Sequence, residues 1–299
     1  MNIALIGLGK MGLGIAERLI KKQHTVYGFD YNDQARQAAQ DIGVFCTNDI
    51  ATLAKHASVF WLMVPAGQPV DDVINLLIPA MQPHDIVIDG GNSFFKDSIR
   101  RHTLLSEKNM SFLDCGTSGG MHGKDLGYCL MIGGDVHAFE KIKPITDAIA
   151  MPEGIVYTGP AGSGHYVKMV HNGIEYALLQ AYAEGFHLLK EGTYKDLPLA
   201  DIAQTWNHGS IVRSWILHLL ENVLKNDTEL KDVSGYIAEN KTGAWSSQTA
   251  REHNIPLETI QKSLDIRAWS RISGGNYATK LVALMRHEFG GHAVKKIDE

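Results

Sequence analysis

Ile3-Ala4-Leu5-Ile6-Gly7-Leu8-Gly9-Lys10-Met11-Gly12 decides how the rest of the chain is read. Four apolar residues make a short strand-like run, a glycine-rich turn follows, and from Gly12 to Lys22 apolar residues recur at helical spacing. In such a strand-turn-helix unit the first glycine permits the tight turn and the second lets the backbone approach a pyrophosphate. The third allows close helix–strand packing, with the phosphates at the helix N-terminus. Any tight turn of this kind can be glycine-rich, so the motif gains its meaning from Asp30. That residue closes the next strand-like run, Thr25 to Phe29, 18 residues after Gly12, near the spacing of about 20 at which an acid receives the ribose hydroxyls of a dinucleotide. A carboxylate there repels a 2′-phosphate, and Tyr31-Asn32-Asp33 offers no arginine for one, so NAD is expected over NADP; Arg36 is the only cation nearby. The cofactor-site candidates are Gly7, Gly9, Lys10, Met11, Gly12 and Asp30, with Val64 at the end of another apolar run and Asn92 just after Asp89.

Beyond the motif, Val59 to Val64, Ile86 to Asp89 and Ser111 to Asp114 are further strand-like runs, near-continuously apolar as befits strands covered on both faces. Helical spacing over Pro69 to Met81 and Phe94 to Ser106 alternates with them, which predicts parallel βαβ units. After about Thr158 the pattern changes. The loop Gly159 to Gly164 leads into helical stretches at 165–191, 199–207, 210–226, 245–254, 256–271 and 276–288, with Gly192, Gly209, Pro256 and Gly290 at breaks or ends. The expectation is a Rossmann-like, doubly wound α/β parallel sheet over 1–160 followed by an all-α domain over 161–299.

With 299 residues, 44% of them hydrophobic and 20% charged, the composition is that of a globular protein of about two domains. The net charge of −5, with no basic stripe, argues against nucleic acid as a partner. No apolar run approaches the roughly 20 residues needed to cross a bilayer. Cys46, Cys115 and Cys129 have neither disulfide nor zinc spacing, so a cytoplasmic protein with reduced thiols is expected. His287-Glu288-Phe289-Gly290-Gly291-His292 mimics a zinc-protease motif, but its histidines are five apart rather than four. Gly123-Lys124-Asp125 lacks the other elements of a triphosphate loop. No metal site is expected.

The most chemical stretch outside the glycine motif is Lys168-Met169-Val170-His171-Asn172-Gly173-Ile174-Glu175-Tyr176. At about 100° per residue Lys168, His171, Asn172 and Glu175 share one arc of a helix, with Tyr176 at its edge, while Val167, Val170, Ile174 and Ala177 lie opposite. By spacing alone this is the solvated face of an amphipathic helix. Its chemistry says more, because a potential base, an acid, an amide and an imidazole follow a complete dinucleotide motif, and hydride removal from an alcohol needs a base for the hydroxyl proton.

These residues resemble the 6-phosphogluconate dehydrogenases, within the wider β-hydroxyacid dehydrogenase superfamily. The resemblance covers nearly the whole chain and rests on Lys168 to Tyr176, Asp89-Gly90-Gly91-Asn92-Ser93, Thr117-Ser118-Gly119-Gly120, Arg267, and Arg286 with Phe289-Gly290-Gly291-His292. It implies a metal-free, NAD-linked oxidative decarboxylation of 6-phosphogluconate to ribulose 5-phosphate, placed in the pentose phosphate pathway and gluconate utilization. Lys168 would be the base and Glu175 the acid. Asn172, His171, Asn92 and the turn Ser118-Gly119-Gly120 would hold the hydroxyls and carboxylate. Tyr176, Arg267 and Arg286 match the phosphate positions. The resemblance further implies a homodimer or homotetramer in which Arg286 and His292 reach the neighbouring subunit's site. Hydroxyisobutyrate-type enzymes are similar in the first domain but typically carry Asn where His171 stands. Where the family usually has a basic residue before a tryptophan, this chain has Ala244-Trp245, so that contact is missing or supplied by Lys241. That departure keeps another β-hydroxyacid dehydrogenase or an imine reductase in view. A non-catalytic NAD-binding sensor is the reading against which Lys168 and Glu175 argue.

Overall fold

The computed structural model describes residues 1–239 and 241–297. The chain divides into two compact units, Met1–Met169 and Val170 onward.

The first unit runs β1 (Asn2–Ile6), α1 (Lys10–Lys21), β2 (Thr25–Phe29), α2 (Asp33–Asp41), β3 (Phe45–Cys46), β4 (Val59–Leu62), α3 (Gln68–Leu77), β5 (Ile86–Asp89) and α4 (Phe95–Ser106). It continues through β6 (Ser111–Ser118), α5 (Gly123–Leu126), β7 (Tyr128–Gly134), α6 (Val136–Ile149) and β8 (Ala150–Gly159). The strands form one sheet in the order β3-β2-β1-β4-β5-β6-β7-β8. Every neighbouring pair is parallel except β6 with β7. Strand alternation explains the layering. Ile3, Leu5, Trp61, Ile88 and Leu113 face one core with Ile15, Ala16 and Leu19 of α1. Ala4, Ile6, Phe60, Leu62, Val87 and Phe112 face the other with Val70, Val73, Ile74 and Leu77 of α3. The doubly wound sheet is as the apolar runs predict.

Three differences have physical reasons. β6 extends four residues past Asp114 because Cys115 to Ser118 pair with β7, in a register from Leu113↔Gly134 to Ser118↔Cys129. That antiparallel strand and β8 were not foreseen from βαβ alternation. α2 was also not foreseen, because its sequence is almost wholly polar and buries only Ala39; Asn32 starts it by accepting from the Gln34 N–H at 2.8 Å.

The second unit contains α8 (Leu199–Asn207), α9 (Trp215–Asn226), α10 (Lys241–Glu252), α11 (Glu258–Ser273) and α12 (Tyr277–Gly290), preceded by the long α7 (Ser163–Glu191), which begins in the first unit. α9 starts at Trp215 rather than 210 because Ser214, in extended conformation, accepts from the Leu217 N–H at 3.0 Å and fixes the N-terminus there. The core of this unit gathers Leu179, Ala183 and Phe186 of α7 with Leu217, Leu220 and Leu224 of α9 and Leu281, Val282 and Met285 of α12.

Candidate active site

The C-terminal ends of β1, β2, β4 and β5 carry the residues assigned to the cofactor. They surround the point between β1 and β4 where the strand order reverses, the usual crevice for a dinucleotide in such sheets. Gly7 has φ +94°, and a Cβ there would lie 2.5 Å from the Met63 carbonyl oxygen, with Val64 close behind. At Gly12 a Cβ would sit 2.0 Å from the Gly7 carbonyl oxygen. Gly9 differs: a Cβ on it would meet no protein atom within 4 Å, and as N-cap of α1 it offers the first-turn N–H groups no side-chain acceptor. The protein itself requires glycine at the first and third positions. At the second it leaves an open approach to a helix N-terminus, which fits a pyrophosphate. Lys10 is exposed, Met11 packs on the core, and Asn92 is exposed on its loop.

Asp30 ties this turn together. Its Oδ2 accepts the Leu8 N–H at 2.7 Å and its Oδ1 accepts the Asn32 N–H at 2.8 Å, fixing the carboxylate at the end of β2. Arg36 is committed elsewhere, donating to the Asp30 carbonyl and to the Asp33 carboxylate. Arg36, the cation next along the chain from Asp30, is thereby engaged within the protein.

Sequence reasoning missed the supports behind these residues. Arg101, fully buried, donates from Nη1 to Asp89 (3.1 Å), from Nε to Asp71 (2.8 Å) and from Nη2 to the Gly67 carbonyl (2.9 Å). Asp89 also accepts from Ser93 Oγ (2.7 Å) and the Gly91 N–H (3.1 Å). Arg101 thus links the segments after β4 and β5, the second of which carries Asn92. Its signal in the sequence was an arginine on the apolar face of a helix, in step with buried Ser98 and Leu105.

A second support holds α7. Buried Asp114 in β6 accepts the N–H of Gly162 and of His165, both at 2.7 Å, at the start of that helix. His165 Nδ1 pairs with Ser98 Oγ at 2.8 Å. One turn on, Lys168 is buried beside Gly116, where a Cβ would come within 2.4 Å of the lysine Cβ. Glycine at 116 is what lets the lysine stem pack against the strand. Ser118 ends β6, and the turn after it uses two positive-φ glycines, Gly119 (+127°) and Gly120 (+53°).

In the second unit α7 continues with buried Asn172, half-buried His171 and Glu175, and buried Tyr176. His171 Nδ1 is 3.1 Å from Asn172 Oδ1 and 4.0 Å from Glu175 Oε2. The helix is turned opposite to a solvated polar face: Lys168 and Asn172 are buried, whereas Val167, Val170, Ile174 and Leu178 are 37–51% exposed. The guanidinium of Arg267 lies 3.8 Å from the Tyr176 ring centroid. Arg267 and Arg286 are both buried, and Arg267 Nη2 has no hydrogen-bond partner among the described residues. Burial, followed by the charge of Arg286, pulls the Arg267 pKa down to about 10, so it stays cationic at neutral pH. Burial likewise lowers Arg286, against the nearby Tyr176 and Glu175. Glu175, Tyr176, Arg267 and Arg286 thus form one electrostatic cluster within the chain. His292 stands exposed beyond α12, its ring edge-on to Phe289.

A dinucleotide fold joined to a helical unit, with a buried lysine and a paired-arginine cluster, defines a nicotinamide-dependent dehydrogenase by class. Residues 2–159 match the family described as the NAD binding domain of 6-phosphogluconate dehydrogenase, and residues 164–286 match the 6-phosphogluconate dehydrogenase C-terminal domain. The NAD(+)-dependent, decarboxylating 6-phosphogluconate dehydrogenase of Haloferax volcanii is 43% identical, covering 100% of both chains. The chain belongs to the 6-phosphogluconate dehydrogenase family. Among solved structures, the Plasmodium falciparum 6-phosphogluconate dehydrogenase, described with NADP+ and with 6-phosphogluconate, superposes with TM-score 0.82 at 29% identity. The match covers 91% of this chain and 62% of that longer one. The Mycobacterium tuberculosis 3-hydroxyisobutyrate dehydrogenase shares the fold, with TM-score 0.76 at 23% identity over 95% and 99% of the two chains. No helix among the described residues is long and apolar enough to cross a membrane.

Proposed function

We propose that the chain catalyses the NAD+-linked oxidative decarboxylation of 6-phosphogluconate to ribulose 5-phosphate and CO2, as a cytoplasmic homo-oligomer. The observation that carries this reading is the pair of buried guanidiniums, Arg267 and Arg286, in one cluster with Tyr176 and Glu175. Two desolvated cations whose charges are met by Glu175 suit a ligand that brings its own negative charge, and the guanidinium fork matches phosphate oxygens. NAD+ supplies the hydride acceptor, and Gly9 at the α1 N-terminus with Asp30 at the end of β2 would hold its pyrophosphate and ribose.

Lys168, packed on Gly116, takes the proton of the substrate's 3-hydroxyl as C3 is oxidised. As an ammonium it then polarises the 3-keto oxygen, so that breaking the C1–C2 bond releases CO2 and leaves an enediol. Glu175, two turns along the same helix, protonates the carbon that becomes C1 of ribulose 5-phosphate. Asn172, His171, Asn92 and the turn Ser118-Gly119-Gly120 orient the hydroxyls and carboxylate, where placement contributes several kcal/mol. Supporting the homo-oligomer is the exposed apolar stripe Val170, Ile174 and Leu178 on α7. In that assembly the tail carrying His292 serves the neighbouring subunit, whereas Arg286, expected to reach there too, lies near Arg267 of its own chain.

The test is turnover of 6-phosphogluconate with NAD+, following NADH and CO2 together. One CO2 per NADH is expected, and oxidation without CO2 release overturns the assignment. Lys168→Ala should lower kcat by about 10²–10⁴-fold, the usual share of a positioned base, while still binding NAD+ in a direct titration.

A further inference from the structure

Between α10 and α11 lies a cavity of about 290 Å³, lined by Ala244, Ser247 and Arg251 from one helix, Arg267 and Arg271 from the other, and Tyr176 of α7. Its two carboxylates are engaged. Glu239 pairs with Arg271 at 3.5 Å, and Asp265 accepts from Gln261 Nε2 at 2.8 Å. Arg251 stands differently. Its Nη1 donates to Ser247 Oγ at 2.7 Å, and the Ser247 hydroxyl donates in turn to Gln261 Oε1, so a hydrogen-bond chain Arg251→Ser247→Gln261→Asp265 fixes the guanidinium at the cavity wall. Among the described residues no carboxylate forms an ion pair with it. On the same cavity, Arg267 holds a buried Nη2 that no group among the described residues accepts. A buried donor without an acceptor is costly. A tetrahedral oxyanion with three terminal oxygens offers charged acceptors both to that donor and to the free edge of Arg251, where a neutral hydroxyl would give only weaker, uncharged hydrogen bonds.

We propose that Arg251, with Arg267, grips the substrate's phosphate in this cavity and sets the preference for phosphorylated over free sugar acids. The inference rests on the reading of the chain as a 6-phosphogluconate dehydrogenase and names how that substrate's phosphate is held. Ala244, Ser247 and Arg251 share one face of α10, at i, i+3 and i+7. A cation missing at 244 is thus returned on the same wall about 10 Å further along the helix, whereas Lys241 is not among the lining residues.

The experiment compares kcat/KM for 6-phosphogluconate and for gluconate in wild type and Arg251→Met, with binding of inorganic phosphate measured by calorimetry on the same proteins. The ratio of the two kcat/KM values should fall about tenfold to hundredfold, the range of a lost charge-assisted hydrogen bond, mainly through KM for the phosphorylated substrate, and phosphate binding should weaken in parallel. Adding Ala244→Lys to that variant should restore part of both. Arg251 is exposed, so an unchanged melting temperature will verify folding. An unchanged ratio with unchanged phosphate binding overturns the role of Arg251. If wild type turns over no phosphorylated sugar acid, the proposed function fails instead, and calorimetry alone then decides whether Arg251 binds phosphate.

Discussion

Gly116 gives Lys168 a wall without a Cβ, and a methyl group added there would stand 2.4 Å from the lysine's own Cβ. Gly116→Ala is therefore expected to lower kcat at least tenfold by displacing the proposed base, with NAD+ affinity nearly unchanged and stability reduced by about 1–3 kcal/mol, as for other overpacked sites. Single-turnover kinetics and urea unfolding measure the two effects, and wild-type kcat would show that the lysine does not depend on this contact. Asp30 allows a second test at this scale. Asp30→Asn keeps an acceptor for the Leu8 N–H but removes the negative charge, so the NAD+ over NADP+ ratio of kcat/KM should fall about tenfold, the effect of one lost hydrogen bond to a charged group. Both candidate residues stood out in the sequence, Lys168 from a polar set at helical spacing and Asp30 from its distance to the glycine motif. Gly116 and Asp114 did not, because each matters through a partner distant in sequence, and a single chain carries no local mark of that approach; Arg101 showed only its place on the buried face of a helix, with nothing to name its partners.

Helix α7 shows what periodicity can and cannot tell at the scale of an element. Spacing correctly divides it into a polar and an apolar stripe, but spacing does not say which stripe faces solvent. The usual assumption fails here, since Lys168 and Asn172 are buried while Val170 and Ile174 are 40% and 51% exposed. An apolar stripe left outward needs a cover. If that cover is a second copy of the chain, Val170→Lys with Ile174→Lys should give a smaller particle in sedimentation analysis and a large loss of activity at low protein concentration. An unchanged sedimentation coefficient would show that this stripe is no interface. The strands were read unevenly for related reasons. β4 and β5 are wholly buried four-residue runs that announce themselves. β8 carries Pro152 and Gly154 among its residues and is mostly half-exposed or exposed, so neither alternation nor an apolar run marks it.

Over the whole molecule the net charge of −5 conceals where charge is concentrated. Besides the arginines of the helical unit, the sheet unit buries Arg101 completely and neutralises it with Asp89 and Asp71. Removing the cation alone would strand the Asp89 carboxylate in the core, so Arg101→Met should cost about 3–5 kcal/mol. The acid dependence of stability gives a finer test. Burial pushes the Asp71 carboxyl up, but hydrogen bonds from Arg101 and Arg100 and their charges outweigh it and hold the group below its ordinary value. Native protein therefore keeps this site deprotonated at a pH where the unfolded chain, titrating near 3.9, has begun to take up the proton. Because the unfolded state binds more protons in that window, stability rises with pH through it; the contribution is complete well above about pH 4 and is lost as pH falls through the native value. Asp71→Asn should accordingly be less stable than wild type at neutral pH, and the gap should close as the pH is lowered from about 5 to about 3 in urea titrations. A gap independent of pH would mean that Asp71 stabilises by hydrogen bonding in either protonation state, and that the charge of the buried arginine is balanced by Asp89 alone.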